Sequence, residues 1–208
     1  MVGHGTYSNG SEIFASVAGV VHQINNVIYV KALKQHFRPE IGDVVVGRVA
    51  LVDQKRWLID INSYQHGILN LTSTMLPGGE QRRKSQEDQI QMRSFLKEGE
   101  MVCAEVQGIG STDGKISLQT RGIKYSKISN GFLLKVDHNY VRRVKNHIVE
   151  FFADSGHPIG AIIGTNGNIW IFQEDFKQEQ HELPKLLSVS KAVRQKMSLL
   201  RNAIVALE

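Results

Sequence analysis

The sequence predicts a mainly β protein with an α+β C-terminal part. Three observations carry that reading. As far as residue 120, short β-branched and apolar segments alternate with turns rich in Gly, Asn, Asp and Pro. Asp113-Gly114 stands between two apolar runs, the arrangement of a tight hairpin. Beyond Ser190, apolar residues recur at helical spacing.

The elements follow in order. Ile13 to Ile24 is apolar and partly β-branched, and Asn25-Asn26 marks a turn before Val27 to Leu33. Arg38-Pro39-Glu40 breaks the pattern, and Val44 to Val49 is a strong strand. Asp53 to Arg56 is a polar turn before the alternating Trp57 to Ile61, and Ile68 to Leu71 is a short strand. Leu76 to Leu96 opens with Pro77-Gly78-Gly79 and is dense in charge. Ser85, followed by Glu87 and Asp88, is placed to cap a short helix inserted between barrel strands. Met101 to Val106 and Lys115 to Leu118 form the hairpin pair. Phe132 to Val136 reads as a strand. Val141, Val144, Ile148 and Phe151 predict a helix over 139–152. Ile159 to Ile163 and Asn168 to Phe172 are strands joined by Gly164-Thr165-Asn166-Gly167, and a polar loop runs from Gln173 to Glu182. Ser190 caps a helix in which Val193, Met197, Leu200 and Ile204 form one face. Many short strands with regularly spaced turns suggest small barrels.

The chain has 208 residues, 41% hydrophobic and 22% charged, which excludes a disordered tail, and its four prolines and nineteen glycines fit no collagen or low-complexity linker. One cysteine, Cys103, forbids an internal disulfide and points to a reducing compartment. No apolar run approaches the roughly 20 residues of a membrane-spanning helix, and Met1 to Thr6 lacks the pattern of a signal peptide. An intracellular protein that does not engage a membrane is the expectation.

The formal charge is +5, and its placement says more than its total. Arg121, Lys124, Lys127, Lys135, Arg142, Arg143 and Lys145 face one acid, Asp137, so this window is +6 and the other 183 residues sum to −1. Smaller basic clusters are Arg82-Arg83-Lys84 and Lys55-Arg56 beside Trp57. Like charges this close are best tolerated when solvated or when a polyanion neutralises them, and both readings stay open on charge alone.

Catalytic signals are absent from the sequence. The eight histidines show no H-x-x-x-H spacing and have no cysteine partners for zinc, so neither a metal nor another cofactor is expected. No G-x-S-x-G or G-x-x-x-x-G-K-[ST] occurs, and Gly108-Ile109-Gly110 lacks the rest of a dinucleotide loop. Asp53, Asp60 and Asp113 are scattered singly, where a two-metal nuclease needs clustered carboxylates. No small-molecule substrate is expected. RNA binding fits better. A five-stranded barrel offers a face for base stacking with cations along the phosphates. Trp57 after Lys55-Arg56 suits that design and suits a core tryptophan equally.

Gly42 to Val49, Gly67-Ile68-Leu69, Glu98 to Val106 and Gly114 to Leu118 resemble the S1-type RNA-binding fold, a five-stranded OB barrel. Gly3-His4-Gly5-Thr6-Tyr7, Ala15 to Gly19, Gln54 to Trp57, Leu76 to Glu80, Arg82 to Ser85 and Gly164 to Ile171 extend the match over nearly the whole chain. Together they resemble the S1/KH cap subunits of the eukaryotic RNA exosome.

The resemblance implies a small N-terminal β domain over 1–41, an S1-type OB barrel over 42–121 with an insertion at 76–96, and a divergent KH-like domain over 131–208. It implies more chain at both ends, with the first N-terminal strand and the last KH elements missing here. It implies a non-catalytic subunit that guides single-stranded RNA into a 3′→5′ exonuclease complex for rRNA processing and decay. The partners would be RNase PH-like ring subunits and other cap subunits, in the nucleus, nucleolus and cytoplasm. The expected RNA-binding residues are Lys55, Arg56, Trp57, Arg82, Arg83, Lys84, Arg121, Lys124, Arg142, Arg143 and Lys145. Gly164 to Gly167 joins two strands and holds no basic residue, so it is not the phosphate-gripping loop of KH domains. The place of that loop, about Arg142 to His147, has no glycine. Gly164, Asn166 and Gly167 are expected to fix a turn and help docking to the ring. The alternatives are an S1-type factor of the ribosome or translation, and an independent nuclease, which the scattered carboxylates disfavour.

Overall fold

Two antiparallel hairpins build the N-terminal unit, Met1–His36, in the computed structural model, which describes residues 1–33, 35–75, 84–120, 127–144, 146–151, 159–173 and 189–207. Strand β1 (Thr6–Asn9) pairs with β2 (Glu12–Ala15), and β3 (Gly19–Ile24) pairs with β4 (Val27–Ala32). The apolar stretch from Ile13 to Ile24 is thus two strands. Asn25 turns the second hairpin at φ +51, a left-handed conformation that asparagine tolerates. Cross-strand stacks Tyr7–Phe14 (5.6 Å) and His22–Tyr29 (5.4 Å) hold the faces, and Val30 is the buried apolar residue among the described residues of this unit.

The second unit, Phe37–Glu208, opens with a closed barrel. Its strands are β5 (Val44–Val52), β6 (Arg56–Asp60), β7 (Gly67–Thr74), β8 (Met101–Ile109) and β9 (Ile116–Thr120). They run in the order β8-β5-β6-β7-β9, and β8 pairs with β9 to close the ring. All neighbours are antiparallel except β7 and β9. Closure leaves no free edge between first and last strands. The two-residue strand β10 (Lys127–Ile128) adds to the outer side of β8. Val45, Val49, Ile59, Leu69, Val102 and Leu118 fill the interior with Trp57.

Ser85 caps the insertion as its sequence predicts. Its hydroxyl accepts from Asp88 N, while the Asp88 carboxylate accepts from Ser85 N at 2.8 Å, a reciprocal capping box. Helices α1 (Gln86–Ile90) and α2 (Met92–Phe95) follow, and Met92 with Leu96 seals one part of the barrel core.

Among the described residues, the C-terminal part is a four-stranded antiparallel sheet with one α-helix. Strands β11 (Gly131–Lys135), β12 (Ile148–Phe151), β13 (Ile159–Ile163) and β14 (Asn168–Gln173) lie in the order β11-β14-β13-β12. Helix α3 (Lys191–Leu207) lays Val193, Met197 and Leu200 against Leu134, Ile159, Ala161, Ile169 and Ile171. Ser190 caps it as expected, its hydroxyl accepting from Val193 N at 3.4 Å.

The helix expected over 139–152 is not there. A 3₁₀ turn at His138–Tyr140 leads into an extended strap and then β12. Ile148, Val149 and Phe151 take partners on β13, and the strap is tied by His147 Nδ1 to Ile163 O at 2.8 Å. Valines at 141, 144 and 149 have poor helix propensity, so sheet pairing wins over an apolar spacing that suits either period.

The run Val44-Val45-Val46 has a specific cause. Val45 points into the barrel, while Val44 and Val46 pack outward against Ile162 and Trp170 of the C-terminal sheet. On β8, Val102 and Ala104 face the barrel, and Met101 and Cys103 face the sheet. Both strands are buried on two faces, so they read as continuous apolar runs. Burial pushes the Cys103 thiol up to about 12, which makes it a packing group rather than a nucleophile.

The ion pair Lys127–Glu100 (2.8 Å) predicts an acid response. Burial raises the Glu100 pKa, but the Lys127 ammonium and the Lys97 amide (2.9 Å) more than offset it and hold it below its ordinary value. A depressed folded-state pKa contributes stability above the unfolded value, lost as pH falls through the folded one. The urea midpoint should therefore decline once pH drops below the ordinary glutamate range of about 4.3. Glu100→Gln should make that decline shallower, and an unchanged acid limb would refute this role.

Candidate nucleic-acid interface

The turn between β13 and β14 joins the barrel to the C-terminal sheet. Gly167 N donates to Gly164 O at 3.0 Å, and Gly164 N to Asn168 O at 2.9 Å, closing the hairpin. Gly167 sits at φ +80, and a Cβ there would collide with Val136 O, so both conformation and space require glycine. Thr165 N and Oγ1 both donate to Val44 O, at 2.9 and 3.0 Å. Asn166 Nδ2 donates to Val46 O and Ile61 O, each at 2.9 Å, and its Oδ1 accepts from Val46 N at 3.4 Å. Asn168 Nδ2 donates to Val46 O at 2.7 Å. The turn is thus spent on the chain's own barrel. The expectation that Asn166 helps dock a separate ring subunit is corrected: the side chain is 0% exposed and its polar atoms are already paired. The expected turn itself is present.

Trp57 is the second correction. It is 0% exposed, in the barrel core, and its Nε1 donates to Leu96 O at 3.1 Å. Neither ring face is open to a base, so it cannot serve as a stacking platform.

Arg143 is exposed, with 48% of its side chain open, and it is also paired within the chain. It donates from Nε to Asp43 Oδ1 (2.8 Å), from Nη2 to Asp43 Oδ2 (3.3 Å) and Arg38 O (3.1 Å), and it pairs with Glu40 at 3.0 Å. Asp43 is 4% exposed, and its carboxylate holds the Arg143 pKa above the ordinary value. The guanidinium fastens the strap to the start of β5 and has little left for a phosphate. Lys127, in the same basic window, pairs with Glu100. The window is therefore partly neutralised from within.

Other expected residues remain on the surface. Lys55 and Arg56 are exposed on the β5–β6 turn. Asp53 pairs with Arg56 at 3.0 Å. The Gln54 amide and the Arg56 guanidinium hold the Asp53 carboxyl below its usual range. Arg142 is exposed beside the anchored Arg143. Lys84 is half-buried just before the Ser85 cap. Arg82, Arg83, Arg121, Lys124 and Lys145 lie outside the described residues, as does most of the expected loop 173–182. Sequence reasoning passed over Tyr64, a half-exposed aromatic on the β6–β7 loop whose hydroxyl donates to Gly114 O at 2.9 Å. An aromatic flanked by polar residues between two strands was its signal. No group of three His, Cys, Asp or Glu suited to a metal ion occurs among the described residues. No helix among them is long and apolar enough to cross a membrane.

Comparison with known proteins places this geometry. Residues 36–108 match the family model "RRP4, S1 domain", and residues 131–175 match "KH domain". The chain is 44% identical over its whole length to the exosome complex component RRP4 of Bos taurus, covering 70% of that protein. It is 46% identical to the Saccharomyces cerevisiae RRP4 over 82% of this chain and 46% of that one. It is 27% identical to the Pyrococcus furiosus Rrp4 over 91% of this chain and 70% of that one. A crystal structure assigned as an exosome complex RNA-binding protein aligns with a TM-score of 0.50 at 20% identity, over 81% of this chain and 99% of that chain, a likeness of fold.

The interior and surface residues separate by mutation. Trp57→Phe should cost about 1–3 kcal/mol of stability for the orphaned Leu96 carbonyl and lost packing, and should leave RNA affinity unchanged. Arg143→Ala should cost about 1–3 kcal/mol by removing the charged partner of the buried Asp43, which keeps the Glu40 amide at 2.7 Å, whereas Arg142→Ala should leave the urea midpoint where it is. Asn166→Ala should cost about 1–3 kcal/mol for the Ile61 carbonyl that loses its donor, and lower that midpoint, while Val46 O keeps the Asn168 amide.

Proposed function

Because the chain belongs to the RRP4 family of exosome complex components, we propose that it is a non-catalytic RNA-binding cap subunit of the RNA exosome. It guides single-stranded RNA into the 3′→5′ exonuclease complex for rRNA processing and decay. The observation that carries this reading is the identity of 44% over the full chain with a named exosome component. The barrel and the KH-matching sheet supply the module types that bind RNA by stacking and phosphate contact.

Hydrolysis belongs to partner nucleases in this reading. Its partners are RNase PH-like ring subunits and the other caps, and its location is nucleus and cytoplasm. The organisation is threefold: an N-terminal β domain, the S1 barrel with its insertion, and the KH-like part. Lys55, Arg56 and Arg142 are the exposed candidates for phosphate contact. Lys84, Arg82, Arg83, Arg121, Lys124 and Lys145 extend that set. The anchored Arg143 holds its neighbour Arg142 in place.

Two measurements test this. The endogenous protein, purified with its complex, should carry RNase PH-like subunits, and ribosomal proteins in their place would favour the translation-factor reading. The purified chain should bind single-stranded RNA weakly, with affinity falling steeply in salt, and Lys55→Ala with Arg142→Ala should reduce the salt slope by about 1.4 at about 0.7 per contact. Absence of binding at low salt would overturn the RNA-binding reading.

A further inference from the structure

Five basic side chains on or beside the barrel have carboxylates next to them. Arg56 pairs with Asp53, Arg93 with Glu98, Lys115 with Asp113, Lys127 with Glu100, and Arg143 with Asp43 and Glu40. Helix α3 differs. Between Lys191 and Leu207 it carries Lys191, Arg194, Lys196 and Arg201 and no acid. The side chains of Lys191 and Arg201 form no ion pair among the described residues. Arg194 donates its Nε to Val189 O at 3.1 Å, which leaves its terminal nitrogens for another acceptor. Lys191, Arg194 and Arg201 are all exposed.

Neither helix stability nor packing accounts for these charges. Lys191 and Arg194 lie in the first turn, where the helix dipole disfavours cations and where no acidic residue offsets them. Packing uses a different stripe, Val193, Met197 and Leu200, which fixes the helix on β13 and β14 and holds the charged flank outward. At about 100° per residue, Lys191, Arg194 and Arg201 fall within an arc of about 80° and extend along about 15 Å of the axis. The one other residue on that arc between them is Ser198, which is exposed.

We propose that the Lys191–Arg194–Arg201 face of α3 is a further RNA-binding surface that grips successive phosphates of single-stranded RNA. This rests on the RNA-binding reading above and adds to Lys55 and Arg142. Three cations spread along a helix suit a polyanion better than a single ion, and a serine hydroxyl among them can donate to a phosphate oxygen. A protein partner would need a buried apolar or aromatic anchor at the centre of the patch, and between these three charges there is none.

The test uses the full chain and labelled oligouridylate, read by fluorescence anisotropy across a salt series. The triple variant Lys191→Ala, Arg194→Ala, Arg201→Ala should keep its helical signal and urea midpoint. It should lose at least about tenfold in affinity at low salt and lower the salt slope by about 2, at about 0.7 per phosphate contact. Arg194→Lys with Arg201→Lys should retain most of the binding. In the unmodified protein, thiouridine-containing RNA should photo-crosslink within residues 189–207, which keeps the proposal testable if the triple variant misfolds. Wild-type protein that binds no RNA at low salt overturns the RNA-binding reading and this surface together. Wild-type binding that the triple variant preserves, crosslinks that avoid α3, or a loss seen with polyglutamate and not with RNA, overturns this surface alone.

Discussion

The C-terminal sheet is registered on the barrel by a single turn that hydrogen-bonds to bare backbone. Thr165, Asn166 and Asn168 supply the carbonyls of Val44, Val46 and Ile61 with side-chain and main-chain donors. Buried carbonyls without partners are costly, and β5 could not be covered by an apolar surface alone. The asparagines resolve that conflict, because each amide carries two donors and an acceptor on a short stem. Around them Val44, Val46, Met101 and Cys103 meet Ile162 and Trp170. At the rim Arg143 adds a charged tie to Asp43. Direction comes from the polar contacts and driving force from the apolar ones.

This construction explains how the surface is divided. Side chains that look alike in a list of basic residues do different things according to which side of the junction they face. Arg142 and Arg143 are neighbours in sequence and both exposed, yet Arg143 is also engaged by two carboxylates and a carbonyl. Lys55 and Trp57 lie two residues apart, yet Lys55 is exposed on the turn before β6 and Trp57, the second residue of that strand, sits at the barrel's centre.

What the sequence makes legible follows from the range of the interactions involved. The barrel strands, the Ser85 cap and the turn at Gly164 to Gly167 are set by local patterns, and the structure has them where those patterns lie. The expected helix over 139–152 is a misreading because Val141, Val144, Ile148 and Phe151 fit a helical period, while Ile148 and Phe151 have their real partners on β13. Asn166 is identifiable as a turn residue, but its acceptors lie 105 and 120 positions away, beyond any local pattern. Trp57 is ambiguous because an alternating strand does not say which face is inside. Helix α3 shows a different limit. Averaged with the acidic segment before it, its charge of +4 is halved, and it stands out when the counting window matches the helix.

A strand buried on both faces also settles how portable the barrel is. Domains that share few contacts can be shuffled between genes as sealed units. Here, severing the chain after β10 would lay bare Val44, Val46, Met101 and Cys103 as an apolar stripe with unpaired carbonyls along it. A barrel transplanted alone would carry a sticky seam, prone to self-association. The two folds are therefore expected to be inherited as a pair, with substitutions on either side of the seam accepted only together.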